Sequence, residues 1–198
     1  EMGARQFVRE IDRLMKRHPW PITLTQLNLL DSHDTARFLT QAGGDRSALR
    51  LAIQFLMTIP GAPCLYYGTE IGMTGGPDPD CRRAFPWQTE TWDRELLATV
   101  KQAIALRRAH PVLRRGRFER FYASDDVCTY GRRLPDQAAA IAFNASHEER
   151  SFNIDTGDLM PDGVAADLWS GSTIRVMNGI ARHVTLAPRS MAVFMMKQ

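Results

Sequence analysis

Within seven residues the sequence places two carboxylates, a hydroxyl, an imidazole and a guanidinium: Asp31, Ser32, His33, Asp34 and Arg37. These are the side-chain types that enzymes use to move protons and to bind polar substrates. The stretch before them, Leu27 to Leu30, is largely apolar and reads as a buried strand covered on both faces. Ionisable groups bunched at the carboxyl end of such a strand mark the place where barrel and open α/β enzymes keep their chemistry. The plainer reading is a strand ending in a polar turn with a helix cap, and spacing alone leaves both open. A second polar group, Asp78, Asp80, Arg82 and Arg83, lies in a long irregular loop from Met73 to Trp87. Loops of this length in compact domains are usually functional or disordered, and the prolines, glycines and terminal Phe85-Pro-Trp87 argue for an ordered one. Asp78 and Arg82, four apart, suit either a salt bridge within the loop or a contact to ligand hydroxyls.

Amphipathic and apolar segments surround these groups. Phe7, Ile11, Leu14 and Met15 recur at helical steps in residues 4–18, basic residues follow, and Pro19 stops the run. Asp45 is a plausible N-cap for a helix over 46–58 with Leu49, Ile53, Leu56 and Met57 on one stripe. Ala62 to Tyr67 suits a second buried strand, and residues 91–109 a third helix with Leu96, Leu97, Val100 and Ile104 inward. Helix and strand alternating in this way is the grammar of a parallel α/β layer. The arginines from Arg107 to Arg117 read as a solvated helix end. Pro111 and Gly116 mark a boundary. Beyond it come short runs separated by turn signals: 117–123, 127–133, 138–144, 150–154, 164–168, 180–186 and 191–196. They predict an antiparallel sandwich or barrel.

Composition narrows the classes. The chain has 198 residues, 44% hydrophobic and 24% charged, as in a globular protein with a sizeable core. A net charge of +3 with arginines scattered among acids implies no nucleic-acid surface. Cys64, Cys81 and Cys128 fit neither a disulfide framework nor a zinc pattern, so a reducing cytoplasm is the expected home. No apolar run approaches membrane-spanning length. Asn144-Ala-Ser146 is discounted as a glycosylation acceptor, and Gly72 to Gly76 is rejected as a phosphate loop because no Lys-Ser/Thr follows. The opening at Glu1, directly before helical sequence, suggests a piece of something longer.

Three blocks carry a resemblance. Leu-Leu-Asp-Ser-His-Asp-Thr at 29–35 resembles the last conserved block of the α-amylase family of glycoside hydrolases. Ile-Pro-Gly-Ala-Pro-Cys-Leu-Tyr-Tyr-Gly-Thr-Glu-Ile-Gly at 59–72 resembles the segment around the eighth strand of that family's barrel. Gly-Gly-Pro-Asp-Pro-Asp-Cys-Arg-Arg-Ala-Phe-Pro-Trp at 75–87 is most similar to the neopullulanase, cyclomaltodextrinase and maltogenic amylase branch. Ser32 departs from the commoner asparagine of the first block.

The resemblance implies an α/β plus all-β fold. Residues 1–113 would be the C-terminal part of a TIM (β/α)₈ barrel (strands seven and eight, helices six to eight), and 114–198 an antiparallel β-sandwich domain. It implies a retaining hydrolase of maltodextrins, cyclodextrins or pullulan, whose nucleophile and acid/base would lie on strands this chain lacks, so the piece alone is expected to be inactive. By the same resemblance Asp34 would be the transition-state-stabilising acid, His33 a contact to the same sugar, and Asp78 and Arg82 contacts to the next glucose. Tyr66, Tyr67 and Glu70 would be structural. No cofactor is assigned, since no calcium-ligand cluster is evident. Two alternatives stand: a non-catalytic α-amylase-like scaffold, and a carbohydrate-binding module using Tyr122, Tyr130 and Trp169. His18, His110, His147 and His183 read as surface or capping residues, and Trp92, Phe118, Phe121 and Trp169 as core. The partners expected are an α-glucan and, because barrel strands lack neighbours, further copies of the chain itself.

Overall fold

The computed structural model describes residues 3–124 and 126–197, without the side chains of residues 120–123; the readings of Phe121 and Tyr122 lie outside the described residues. The N-terminal part holds helices α1 (Ala4–Lys16), α2 (Trp20–Thr25), α3 (Phe38–Gln41), α4 (Arg46–Thr58), α5 (Arg94–Ala109) and α6 (Pro111–Arg115), with strands β1 (Leu27–Leu29) and β2 (Ala62–Cys64). The Pro-Trp-Pro stretch, which reads as a break, opens α2: proline is tolerated in a first helical turn, where its missing N–H has no partner to lose.

β1 and β2 pair in parallel, Leu27 opposite Ala62 and Leu29 opposite Cys64, as the alternation of helix and strand predicts. The expected covering of β1 on both faces is not met. Leu27 is 63% and Leu29 44% exposed, because the sheet has only two strands among the described residues and nothing packs beyond β1. Leu14 of α1 is likewise exposed, while Ala4 and Val8 are the buried positions of that helix. In α4 the predicted stripe is buried and Asp45 caps it, accepting from the Ala48 N–H at 3.0 Å. Leu49, Ile53 and Met57 meet Leu96, Val100 and Ala103 of α5, whose own cap is Asp93, accepting from the Leu96 N–H at 2.9 Å.

The C-terminal part is one antiparallel sheet of eight strands, β3 (Arg117–Ala123), β4 (Val127–Arg133), β5 (Ala138–Asn144), β6 (Arg150–Asp155), β7 (Gly163–Asp167), β8 (Thr173–Met177), β9 (Ile180–Leu186) and β10 (Ser190–Met196). Their order is β3-β4-β5-β10-β7-β8-β9-β6, and the sheet curls over itself as a β-sandwich. Strand alternation explains its two cores. Ala140 and Ala142 of β5 and Ala192 and Phe194 of β10 point into the curl, against Ile154, Val176, Ala181 and Val184. Their neighbours Ala139, Ile141 and Phe143, with Met191 and Val193, point the other way and pack on Ala4, Val8, Leu51, Val112 and Leu113 of the helices.

Two buried guanidiniums meet at this junction, Arg132 joining the sheet to the helices and Arg107 tying the helical part to itself. Arg132 of β4 donates to Gly116 O at 2.7 and 3.0 Å, to Leu113 O at 2.9 Å, and to Thr58 O. Arg107 donates to Met57 O at 2.8 Å, Ile59 O at 3.1 Å, Leu113 O at 3.0 Å and Gly61 O at 2.5 Å. Reading Arg107 as part of a solvated helix end is therefore corrected: it is buried because α5 ends beside the carbonyls that close α4 and begin β2. Burial pushes Arg132 down to about 9, still protonated at neutral pH. Tyr130 hydroxyl meets Thr58 Oγ1 at 2.6 Å beside them. No helix among the described residues is long and apolar enough to cross a membrane.

Candidate active site

The polar stretch after β1 divides into a buried half and an exposed half. Asp31 is buried; one carboxylate oxygen accepts from the Phe38 N–H at 3.0 Å and the other from Thr69 Oγ1 at 2.8 Å. It starts α3 and ties that helix to the turn after β2, so it is not one of a pair of working carboxylates. Thr35 Oγ1 accepts from the Ser32 N–H and Ser32 Oγ from the Asp34 N–H, both at 3.1 Å, in a local turn of the kind short hydroxyl side chains favour. That turn presents His33 and Asp34 outward. Their side chains are 63% and 71% exposed and lie 3.3 Å apart, Nε2 to Oδ2. An exposed pair of this kind contributes about 0–1 kcal/mol, so neither group is needed by the fold and both are free to meet a ligand.

The loop after β2 comes to the same place. Arg82 Nε donates to His33 O at 2.9 Å and lies 2.8 Å from Asp78 Oδ1. The four residues singled out in the sequence, His33, Asp34, Asp78 and Arg82, are thus neighbours, and Asp78 does pair with Arg82. Asp80 and Arg83 form a separate brace: Asp80 accepts from the Gly76 N–H at 2.6 Å and from Arg83 at 2.7 and 2.9 Å. The Gly76 amide, then the Arg83 guanidinium, hold the Asp80 carboxyl below its ordinary value. Gly75 has no room for a side chain, since a Cβ would stand 2.7 Å from Asp80 O.

Arg37 is the bolt behind this surface. It is fully buried, donating through Nε to Cys81 O at 2.9 Å and through Nη1 to Tyr67 O at 2.6 Å. Its guanidinium carbon lies over the Tyr66 ring at 4.1 Å and the Tyr67 ring at 4.7 Å, a cation–π arrangement that strengthens out of water. Arg37 therefore joins the loop after β1, the end of β2 and the Asp78–Arg82 turn, and does not itself face solvent. Tyr66 and Tyr67 pack their rings on this guanidinium, and the Tyr67 hydroxyl donates to Arg83 O at 2.8 Å. Sequence reasoning overlooked Trp87, 78% exposed at the end of the same loop with its ring 4.9 Å from Phe85; the Phe-Pro-Trp pattern was read only as a sign of order. Among the described residues no group of three or more His, Cys, Asp or Glu could hold a metal ion. The aromatic line that a carbohydrate-binding module would show is absent among the described side chains, where Tyr130 is buried and Trp169 half-buried between sheet and helices.

Comparison with known proteins gives a family for both parts of the chain. The model of the α-amylase catalytic domain matches residues 4–116, and that of the neopullulanase-like C-terminal domain matches 118–195. The chain belongs to the α-amylase family. A cyclomaltodextrinase of Geobacillus thermopakistaniensis (strain MAS1) is 40% identical over 150 residues, which is 75% of this chain and 26% of that protein. Neopullulanase 2 of Thermoactinomyces vulgaris is 39% identical over 153 residues, 76% of this chain and 26% of that one. Among solved structures, Ttha1563 of Thermus thermophilus superposes with a TM-score of 0.92 at 33% identity, covering 99% of this chain and 41% of its own. An acarbose-soaked debranching enzyme of Nostoc punctiforme gives 0.81 at 34% identity, covering 98% and 38%. The chain thus spans about a quarter of the length of these two curated relatives.

Proposed function

We propose that this chain is the part of a retaining glycoside hydrolase that holds the sugar at the cleavage point of an α-glucan, such as a maltodextrin, cyclodextrin or pullulan. In this reading Asp34 is the catalytic residue contributed here, an acid that binds the hydroxyls of the reacting ring. Ring distortion and hydroxyl acidity change as an oxocarbenium-like transition state develops. A fixed acceptor can then bind it more tightly than the ground state, which lowers the barrier. His33 donates to the same sugar, and Asp78 with Arg82 offers an acceptor and a forked donor to the next glucose. The attacking carboxylate and the acid/base belong to the remainder of such an enzyme. The observation that carries the proposal is the meeting of exposed His33 and Asp34 at the tip of β1 with Arg82 and Asp78 of a second loop. The names of the relatives, cyclomaltodextrinase and neopullulanase, support the substrate class.

The test is Asp34→Ala in the full-length protein, assayed on maltoheptaose and cyclodextrin. Loss of one group that acts only in the transition state lowers kcat by roughly a hundredfold or more. Because Asp34 is exposed, stability should shift by no more than about 0.5 kcal/mol. Hydrolysis at the parent rate would refute the assignment.

A further inference from the structure

The most exposed large apolar side chain among the described residues is Trp87. Leu14, Leu27 and Leu29 are also exposed, but they share one groove beside β1, which no further strand covers among the described residues. Trp87 stands elsewhere, in the loop that carries Asp78 and Arg82, five residues on from Arg82. That spacing keeps the two backbones within about 18 Å of each other. The segment between them is held at both ends. Tyr67 Oη donates to Arg83 O at 2.8 Å, and Trp92 Nε1 donates to Pro86 O at 2.7 Å. The Phe85 ring contacts both indoles, with centroids 4.9 Å from Trp87 and 5.8 Å, edge-on, from Trp92. Trp87 is thus backed by a packed aromatic support while its own ring stays in water. Leaving an indole in water forgoes the stabilisation that burial would give, so the fold gains nothing from this exposure.

We propose that Trp87 is a platform for an outer glucose unit of the bound α-glucan and sets a preference for longer chains. The inference rests on the reading of His33, Asp34, Asp78 and Arg82 as the sugar-binding site, and extends that site along its own loop. A pyranose carries hydroxyls at its rim and C–H groups on its faces, so a flat indole can cover one face without stripping water from the hydroxyls. Because the loop is held at both ends, little conformational freedom is lost when the sugar arrives. The contact is the same in ground and transition states. It therefore acts through KM, and only on substrates long enough to reach it.

The test compares maltotriose and maltoheptaose as substrates of the full-length protein and its Trp87 variants. Trp87→Ala should lower the maltoheptaose-to-maltotriose ratio of kcat/KM about tenfold, with the loss in KM. Trp87→Phe keeps a flat ring and should restore most of the ratio. Trp87→Leu keeps an apolar contact with Phe85 but no flat face; it should lower the ratio severalfold, and it decides the matter if the alanine variant does not fold. Asp34→Ala should instead lower both substrates alike through kcat. Failure of that result removes the site itself, whereas a failure confined to Trp87 leaves the site and removes the platform. An unchanged ratio in Trp87→Ala and Trp87→Leu, or equal losses on both substrates of the kind a merely structural ring would give, overturns the proposal. So does a parent enzyme that hydrolyses neither glucan.

Discussion

Replacing Arg132 by methionine probes how the sheet is held to the helices. The guanidinium supplies Thr58 O and Gly116 O with their buried donors, while Leu113 O would keep Arg107 Nη1 at 3.0 Å. Each buried acceptor left unsatisfied costs about 1–3 kcal/mol, so the two carbonyls together cost about 2–6 kcal/mol. Against that, methionine spares the desolvation of a cation and retains apolar volume. The expected net loss is about 3 kcal/mol, or roughly 6–12 °C in Tm at the 2–4 °C per kcal/mol typical of this chain length. Urea denaturation followed by far-UV circular dichroism measures it. Arg107→Met should cost a similar amount. The double variant should depart from additivity by about 0.5 kcal/mol or more, because both side chains donate to Leu113 O. A loss below about 1 kcal/mol for Arg132→Met would refute the idea that Arg132 holds the sheet to the helices, and strict additivity of the pair would refute coupling through the shared Leu113 carbonyl.

Two further expectations are as direct. His110 is half-buried and burial holds its imidazole below the ordinary 6.5, so below that pH the unfolded chain takes up the proton more readily than the folded one. Stability should therefore be full above pH 6.5 and fall as pH drops below it; the urea midpoint should decline from pH 7.5 to 5.5, and His110→Gln should flatten the decline. Parallel profiles for parent and variant would contradict this, since Asp45, Asp80 and Asp93 are held below 3.8 and titrate outside the window. Arg37→Met removes two charge-assisted hydrogen bonds worth about 1.5–3 kcal/mol each. It should lower chain stability by about 3 kcal/mol or more in the same urea assay, and a near-neutral result would show that the loops after β1 and β2 are held by other contacts.

Much of the fold was legible because local chemistry repeats with the right period. Strands 117–123, 127–133, 138–144 and 180–186 are found at the residues where apolar runs meet turn signals. Asp45 caps its helix as its position before an apolar stripe predicts. The predicted strand 164–168 is found one residue earlier, as Gly163–Asp167. β8 was missed although Thr173 to Met177 carries a strand signal of its own, β-branched Thr173, Ile174 and Val176 with Ile174 and Val176 alternating with polar neighbours directly after a Ser-Gly-Ser turn; the run is only five residues long and was passed over as part of that turn. The covering of β1 was misjudged for the opposite reason, since an apolar run states what could be buried and not whether a neighbour is there to bury it.

The polar residues divide on the same principle. That Asp31, His33, Asp34 and Arg37 stand together, and that Asp78 and Arg82 are within reach of each other, follows from order along the chain. Which of them face water does not. Asp31, Arg37, Arg107 and Arg132 are ionisable groups taken out of solvent, and that is tolerable only where hydrogen-bond partners from distant segments meet them: Thr69 for Asp31, Tyr67 and Cys81 for Arg37, Met57 and Gly61 for Arg107, Thr58 and Gly116 for Arg132. Sequence alone determined the periodicity, the caps and the family blocks. Tertiary structure decided which charges became struts and left His33 and Asp34 outside, because the cost of desolvating an ion is offset only by partners that folding brings to it.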